Sequence, residues 1–128
     1  MNKEYVVTVR ETSKDMTAKE KIMIKDFSNA ASLDALTAEG NNLVIDFAYY
    51  AILDVHNEKA DRPDYTKVVV VDKAGTKYVT GSDAFIRSLT QIVEDMTEAG
   101  EADNIQLEVF RKESTNYKGK TFITVSLI

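Results

Sequence analysis

Cysteine is absent from this 128-residue chain. That excludes disulfide scaffolds, thiol nucleophiles and thiolate zinc sites, and it fits a reducing cytoplasm. Proline occurs once, at Pro63, and glycine five times. No Gly/Ser linker, low-complexity tract or internal repeat divides the chain, so a single domain over 1–128 is expected. No apolar run approaches the ~20 residues a bilayer-crossing helix needs. Met1-Asn2-Lys3-Glu4 lacks the apolar region of a secretory signal, and no membrane association is expected. The one histidine, His56, shares a strand face with Asp54 and Glu58. Metal sites usually converge three or four ligands, so the expectation here is a solvated strand end with no metal. No Gly-rich phosphate loop, Gly-x-Ser-x-Gly elbow or His-Glu-x-x-His motif occurs. No catalytic residue and no cofactor are therefore expected.

What is present is an acidic, apolar-rich chain. The net charge is -5 and the isoelectric point near 4.9. Taken whole, that argues against a non-specific duplex binder, which usually carries a basic domain. The average hides a pattern. Positive charge concentrates in residues 14–25, 67–77 and 109–128, while 26–66 and 83–108 are strongly acidic.

Hydrophobic periodicity outlines a mainly β chain with one α-helix. Residues 5–10 are β-branched and read as a strand. In 19–27, Ile22 and Ile24 alternate with Lys21, Met23, Lys25 and Phe27, which predicts a half-buried strand. A short helical turn fits Leu33–Leu36. Residues 42–56 carry the strongest strand pattern, with Leu43, Ile45, Phe47, Tyr49, Ala51, Leu53 and Val55 on one face. A strand this long normally bends or bulges. Residues 65–80 read as a hairpin turning at Lys73-Ala74-Gly75-Thr76. Residues 82–97 are the clear helix, capped by Ser82, with Phe85, Ile86, Leu89, Ile92, Val93 and Met96 forming one stripe. Residues 104–113 and 120–127 alternate again, with Ile105, Leu107, Val109, Ile123, Val125 and Leu127 expected to be buried. This order is that of the OB-fold, a small five-stranded Greek-key barrel whose helix plugs one end.

The carboxyl half carries a further likeness. Val69-Val70-Val71-Asp72-Lys73-Ala74-Gly75-Thr76-Lys77-Tyr78 leads through Thr80-Gly81-Ser82 into the helix. Ile105–Val109 follows, and then Ser114-Thr115-Asn116-Tyr117-Lys118-Gly119-Lys120-Thr121-Phe122-Ile123-Thr124-Val125. With Ile22–Ala30, this order of segments resembles the small single-stranded DNA-binding proteins of protein-primed phages and of conjugative elements of Gram-positive bacteria. The acidity of residues 43–64 departs from that family. The resemblance implies an OB-type fold, single-stranded DNA as partner, replication or conjugation proteins as further partners, and a cytoplasmic role in a bacterial host.

Binding unpaired DNA without sequence preference requires cations along the phosphates and flat rings under the bases. The terminal hairpin supplies Arg111, Lys112, Lys118 and Lys120 around Tyr117, with Phe122 on the face opposite Ile123. Lys21 and Lys25 would line the outer side of the predicted strand 19–27. Tyr50 is the one aromatic on the polar face of the long strand, and it stacks on a base unless a bulge turns it inward. The competing expectation is a protein-interaction module with a small barrel fold, an inhibitor or DNA mimic, which the acidic charge favours.

Overall fold

The central strand β3 (Leu43–Asn57) is fifteen residues long and changes neighbours halfway along. In the computed structural model, which describes residues 4–116 and 119–128, its first half (Leu43–Asp46) pairs with β6 (Gln106–Glu113). Its second half (Ala51–Asn57) pairs on that side with β1 (Tyr5–Thr12). Its other side pairs with β4 (Asp64–Asp72), and the register slips between Phe47 and Tyr49. β4 turns through Gly75, at φ 90°, into β5 (Lys77–Thr80). The short β2 (Ala31–Ser32) adds in parallel to β5, and β7 (Thr121–Leu127) pairs with β6. The strand order is β2-β5-β4-β3-β6-β7, with β1 on β3, and the sheet curls into a half-barrel. The chain is mainly β, as its periodicity predicts. The described residues form seven strands and three helices, where five strands and one helix were expected.

Helices cover both faces of this sheet around β4 and β5. On one face lies α3 (Asp83–Glu98), whose Phe85, Leu89 and Val93 pack with Phe47, Ile52, Val68, Val70 and Ile123. The Ser82 hydroxyl accepts from Phe85 N–H and donates to the Ile123 carbonyl, tying the helix start to β7. On the other face α1 (Ala18–Ile24) inserts Ile24 among Ala51, Leu53, Val69, Val71 and Val79. This explains the unbroken Val68–Val71 run. Alternate valines serve opposite cores, so neither face is polar. Burying each such side chain contributes roughly 1.5–3 kcal/mol relative to exposure.

Three expectations are corrected. Residues 19–27 are not a strand but largely α1. Thr17 caps the helix and Glu20 answers it, a complete capping box, and Lys14 with the Thr17 N–H holds the Glu20 carboxyl down at about 2. With helical spacing, Ile24 is buried while Ile22 is 69% exposed. In β3, the slip adds one residue and reverses the alternation. Ile45 and Phe47 before it, and Tyr50 and Ile52 after it, therefore face the same α3-side core, while Tyr49 packs partly buried towards α1 under the Lys14 ammonium. Finally, Leu127 is 44% exposed, bordering an open cleft with Ile92 and Asp95 of α3 instead of entering the core. α2 (Leu33–Leu36) forms where the helical turn was expected. Among the described residues no helix is long and apolar enough to cross a membrane.

The helix at 18–24 makes a prediction that a strand would not. Ile24→Ala should destabilise the chain by about 2–5 kcal/mol, whereas Ile22→Ala should stay within about 0.5 kcal/mol. Urea unfolding followed by circular dichroism checks both.

Candidate nucleic-acid interface

The β6–β7 hairpin divides its side chains by alternation. Leu107, Val109, Ile123 and Val125 enter the α3-side core. The other face carries Phe110 and Lys112 on β6 and Phe122, Thr124 and Ser126 on β7, with Phe110 opposite Thr124 and Lys112 opposite Phe122. The two phenyl rings are thus diagonal neighbours on adjacent strands, a spacing across which aromatic side chains reach each other. Both are half-buried. α3 runs beside β7, where the Ser88 and Thr124 hydroxyls lie 3.4 Å apart. The strands and the helix together enclose an open depression of about 520 Å³, lined by Arg87, Ser88, Phe110, Lys112, Phe122 and Thr124 among others.

The electrostatics of this depression are simple. Arg87 and Lys112 are exposed, and neither joins an ion pair among the described residues. The carboxylate on the same face, Glu108, accepts a hydrogen bond from the Asn42 amide at 3.4 Å. Flat apolar rings flanked by two uncompensated cations can take a base against the rings and a phosphate against the cations.

The expected binding residues are distributed unevenly. Lys112 and Phe122 meet in the depression. Lys120 is exposed just before β7, its carbonyl accepting from Ser114 N–H at 2.9 Å. Tyr117 and Lys118 lie outside the described residues. Arg111 points inward and is occupied: it donates to the carbonyls of Asp34 at 2.9 Å and Thr37 at 3.1 Å, and to the Thr121 hydroxyl at 3.2 Å. Its charge caps the C-terminal end of α2, where a cation is favoured. Tyr50 is 5% exposed, and its hydroxyl donates to Glu11 at 2.7 Å. Burial, together with that bond, pushes its ionisation well above the usual tyrosine range. Its ring belongs to the core and offers no stacking surface. Lys21 and Lys25 are exposed on and just after α1, and no hydrogen bond or ion pair among the described residues links that helix to the terminal hairpin.

Two residues of the depression escaped the sequence reading. Phe110 sits between the inward Val109 and Arg111, so strict alternation would have placed it beside Lys112 on the outer face. Arg87 lies off the apolar stripe of α3. Only the docking of that helix along β7 brings it to the rings, and no local pattern carries that information.

The lone histidine stands elsewhere, at the β3–β4 end. His56 Nδ1 is 2.7 Å from Asp64 Oδ1, and Nε2 is 3.5 Å from Glu58 Oε1. These hydrogen bonds, Asp64 first and Glu58 second, raise its pKa above the ordinary 6.5. Asp54 on the same face belongs instead to Arg10, which lowers the Asp54 pKa through a hydrogen-bonded ion pair. No group of three or more His, Cys, Asp or Glu among the described residues could hold a metal ion. No protein-family model, curated protein or solved structure matches this chain.

Two outcomes follow from these side chains. Arg111→Ala should cost about 1–3 kcal/mol, because the carbonyls at the end of α2 lose a charged donor; chemical unfolding measures this. His56 should titrate above 6.5, and Asp64→Asn should bring its midpoint down, read by NMR of the imidazole protons. The folded pKa is raised, so the stabilisation is complete below about 6.5 and is lost as pH rises through the folded value.

Proposed function

We propose that this chain is a non-catalytic, sequence-tolerant single-stranded DNA-binding protein with an OB-like small barrel, acting in DNA replication or transfer in a bacterial cytoplasm. One observation carries the reading. Phe110 and Phe122 stand diagonally on an uncovered sheet face, bordered by the unpaired cations Lys112 and Arg87. Unpaired DNA offers what such a surface takes: base faces for the rings and phosphates for the cations. The resemblance of residues 69–125 to the single-stranded DNA-binding proteins of protein-primed phages and Gram-positive conjugative elements supports it. Under this reading Lys120 extends the phosphate track towards the hairpin tip, where Tyr117 and Lys118 lie in the sequence. Arg111 acts by holding the hairpin against α2.

Gel retardation with matched unpaired and duplex oligonucleotides tests the proposal. Unpaired DNA should be retained preferentially. Phe110→Ala and Phe122→Ala should each weaken binding by roughly 1–3 kcal/mol. Arg87→Ala and Lys112→Ala should each flatten the logarithmic salt dependence by roughly 0.7, the value for one phosphate contact on a single strand. Equal retention of both DNAs would reject the proposal. Retention of neither would turn the reading to a protein-interaction module, which the net charge of -5 favours.

A further inference from the structure

β1 pairs with β3 along one edge, and among the described residues no backbone hydrogen bond reaches its other edge. The phase of that free edge is set by one contact. Glu58 N–H donates to the Glu4 carbonyl at 2.8 Å, so Glu4 turns its backbone groups towards β3. The register from Tyr5 to Val9 is uninterrupted. By the alternation of an antiparallel ladder, Val6 and Thr8 also face β3, and Tyr5, Val7 and Val9 send their N–H and C=O groups outward. Edge strands of soluble proteins are usually blunted by charge, proline or a bulge. The stretch Tyr5-Val6-Val7-Thr8-Val9 holds neither charge nor proline, and its bulge comes only after Val9. Tyr5 is 54% exposed and Val6 41%.

We infer that β1 is a homodimerisation edge, on which a second copy of this chain pairs antiparallel through Tyr5–Val9 with Val7 on the two-fold axis. The edge is self-complementary about Val7. The outward residues Tyr5 and Val9 are equidistant from it, so Tyr5 of each copy meets Val9 of the other, an aromatic against a β-branched side chain. The charges that flank the stretch, Glu4 and Arg10, are each already paired within the chain, with Lys59 and Asp54, so antiparallel pairing meets no uncompensated like charges. Val7 and Val9 pack partly buried against the α1-side core. Pairing therefore continues that apolar layer from one copy into the next, an isologous contact that closes on itself. This surface does not include the terminal hairpin, and the inference stands whether or not the hairpin binds DNA.

Sedimentation equilibrium of the full chain, from micromolar to near-millimolar concentration, should show a reversible monomer–dimer equilibrium. A monomer at every concentration overturns the inference. The natural absence of cysteine makes the register testable. Opposed Cα atoms of a hydrogen-bonded antiparallel pair lie about 5.5 Å apart, within disulfide reach. Val7→Cys should therefore give a reducible covalent dimer on mild oxidation, whereas Val9→Cys, displaced from the axis in both copies, should not. Equal cross-linking of the two variants, or of neither, overturns the inference. Val7→Pro removes an outward N–H and leaves the β3 ladder intact, so the folded variant should bind itself at least about 10-fold more weakly. A folded Val7→Pro chain that dimerises like the parent also overturns it. If that variant fails to fold, the cysteine pair decides.

Discussion

An extra residue between Phe47 and Tyr49 governs this molecule. A strand of fifteen residues with uniform alternation would present one face to one core along its whole length. The slip in β3 reverses the faces midway, and the strand then serves two different pairings, with β6 before it and β1 after it. It also aims Tyr50 at α3, where its hydroxyl meets Glu11 and its backbone N–H meets the Ser13 hydroxyl at 2.8 Å. The bend that lets the sheet curl and the burial of the tyrosine have one cause.

The coverage of the sheet follows from that bend. Around β4 and β5 helices protect both faces, which is why four consecutive valines are affordable there without an exposed apolar patch. At the β6–β7 end α3 covers one face and leaves the other open. The open face is accordingly built from Lys112, Thr124, Ser126 and two half-buried phenyl rings, a mixture that solvent tolerates and an extended polyanion can use. Arg111 and Lys112 are adjacent in sequence and opposite in role. Alternation sends one to the carbonyls of α2 and leaves the other in water.

Much of this was legible in advance. The hairpin at 65–80, the capped helix at 82–97 and the terminal strands each announce themselves through a period, a cap or a turn. Residues 19–27 misled because two isoleucines two apart fit a strand, while Thr17 and Glu20, the capping box just upstream, were the stronger signal. Lys112 and Phe122 were readable from alternation as outward residues. Arg87 was not, because its place beside them depends on how a helix docks against a strand some forty residues further on.

The sequence by itself determined most of the strands and helices, though not α1 or the two-residue β2, and which side of each terminal strand is apolar as far as Leu127. These are local matters of spacing and capping. Only the tertiary structure decided that both faces of the central sheet are buried, that β3 changes face at Phe47, that Arg111 is consumed by α2, and that Arg87 joins the two rings. Each of these depends on contacts between residues far apart in the chain, and whether a side chain is buried, paired or free is a property of what packs against it rather than of its neighbours in sequence.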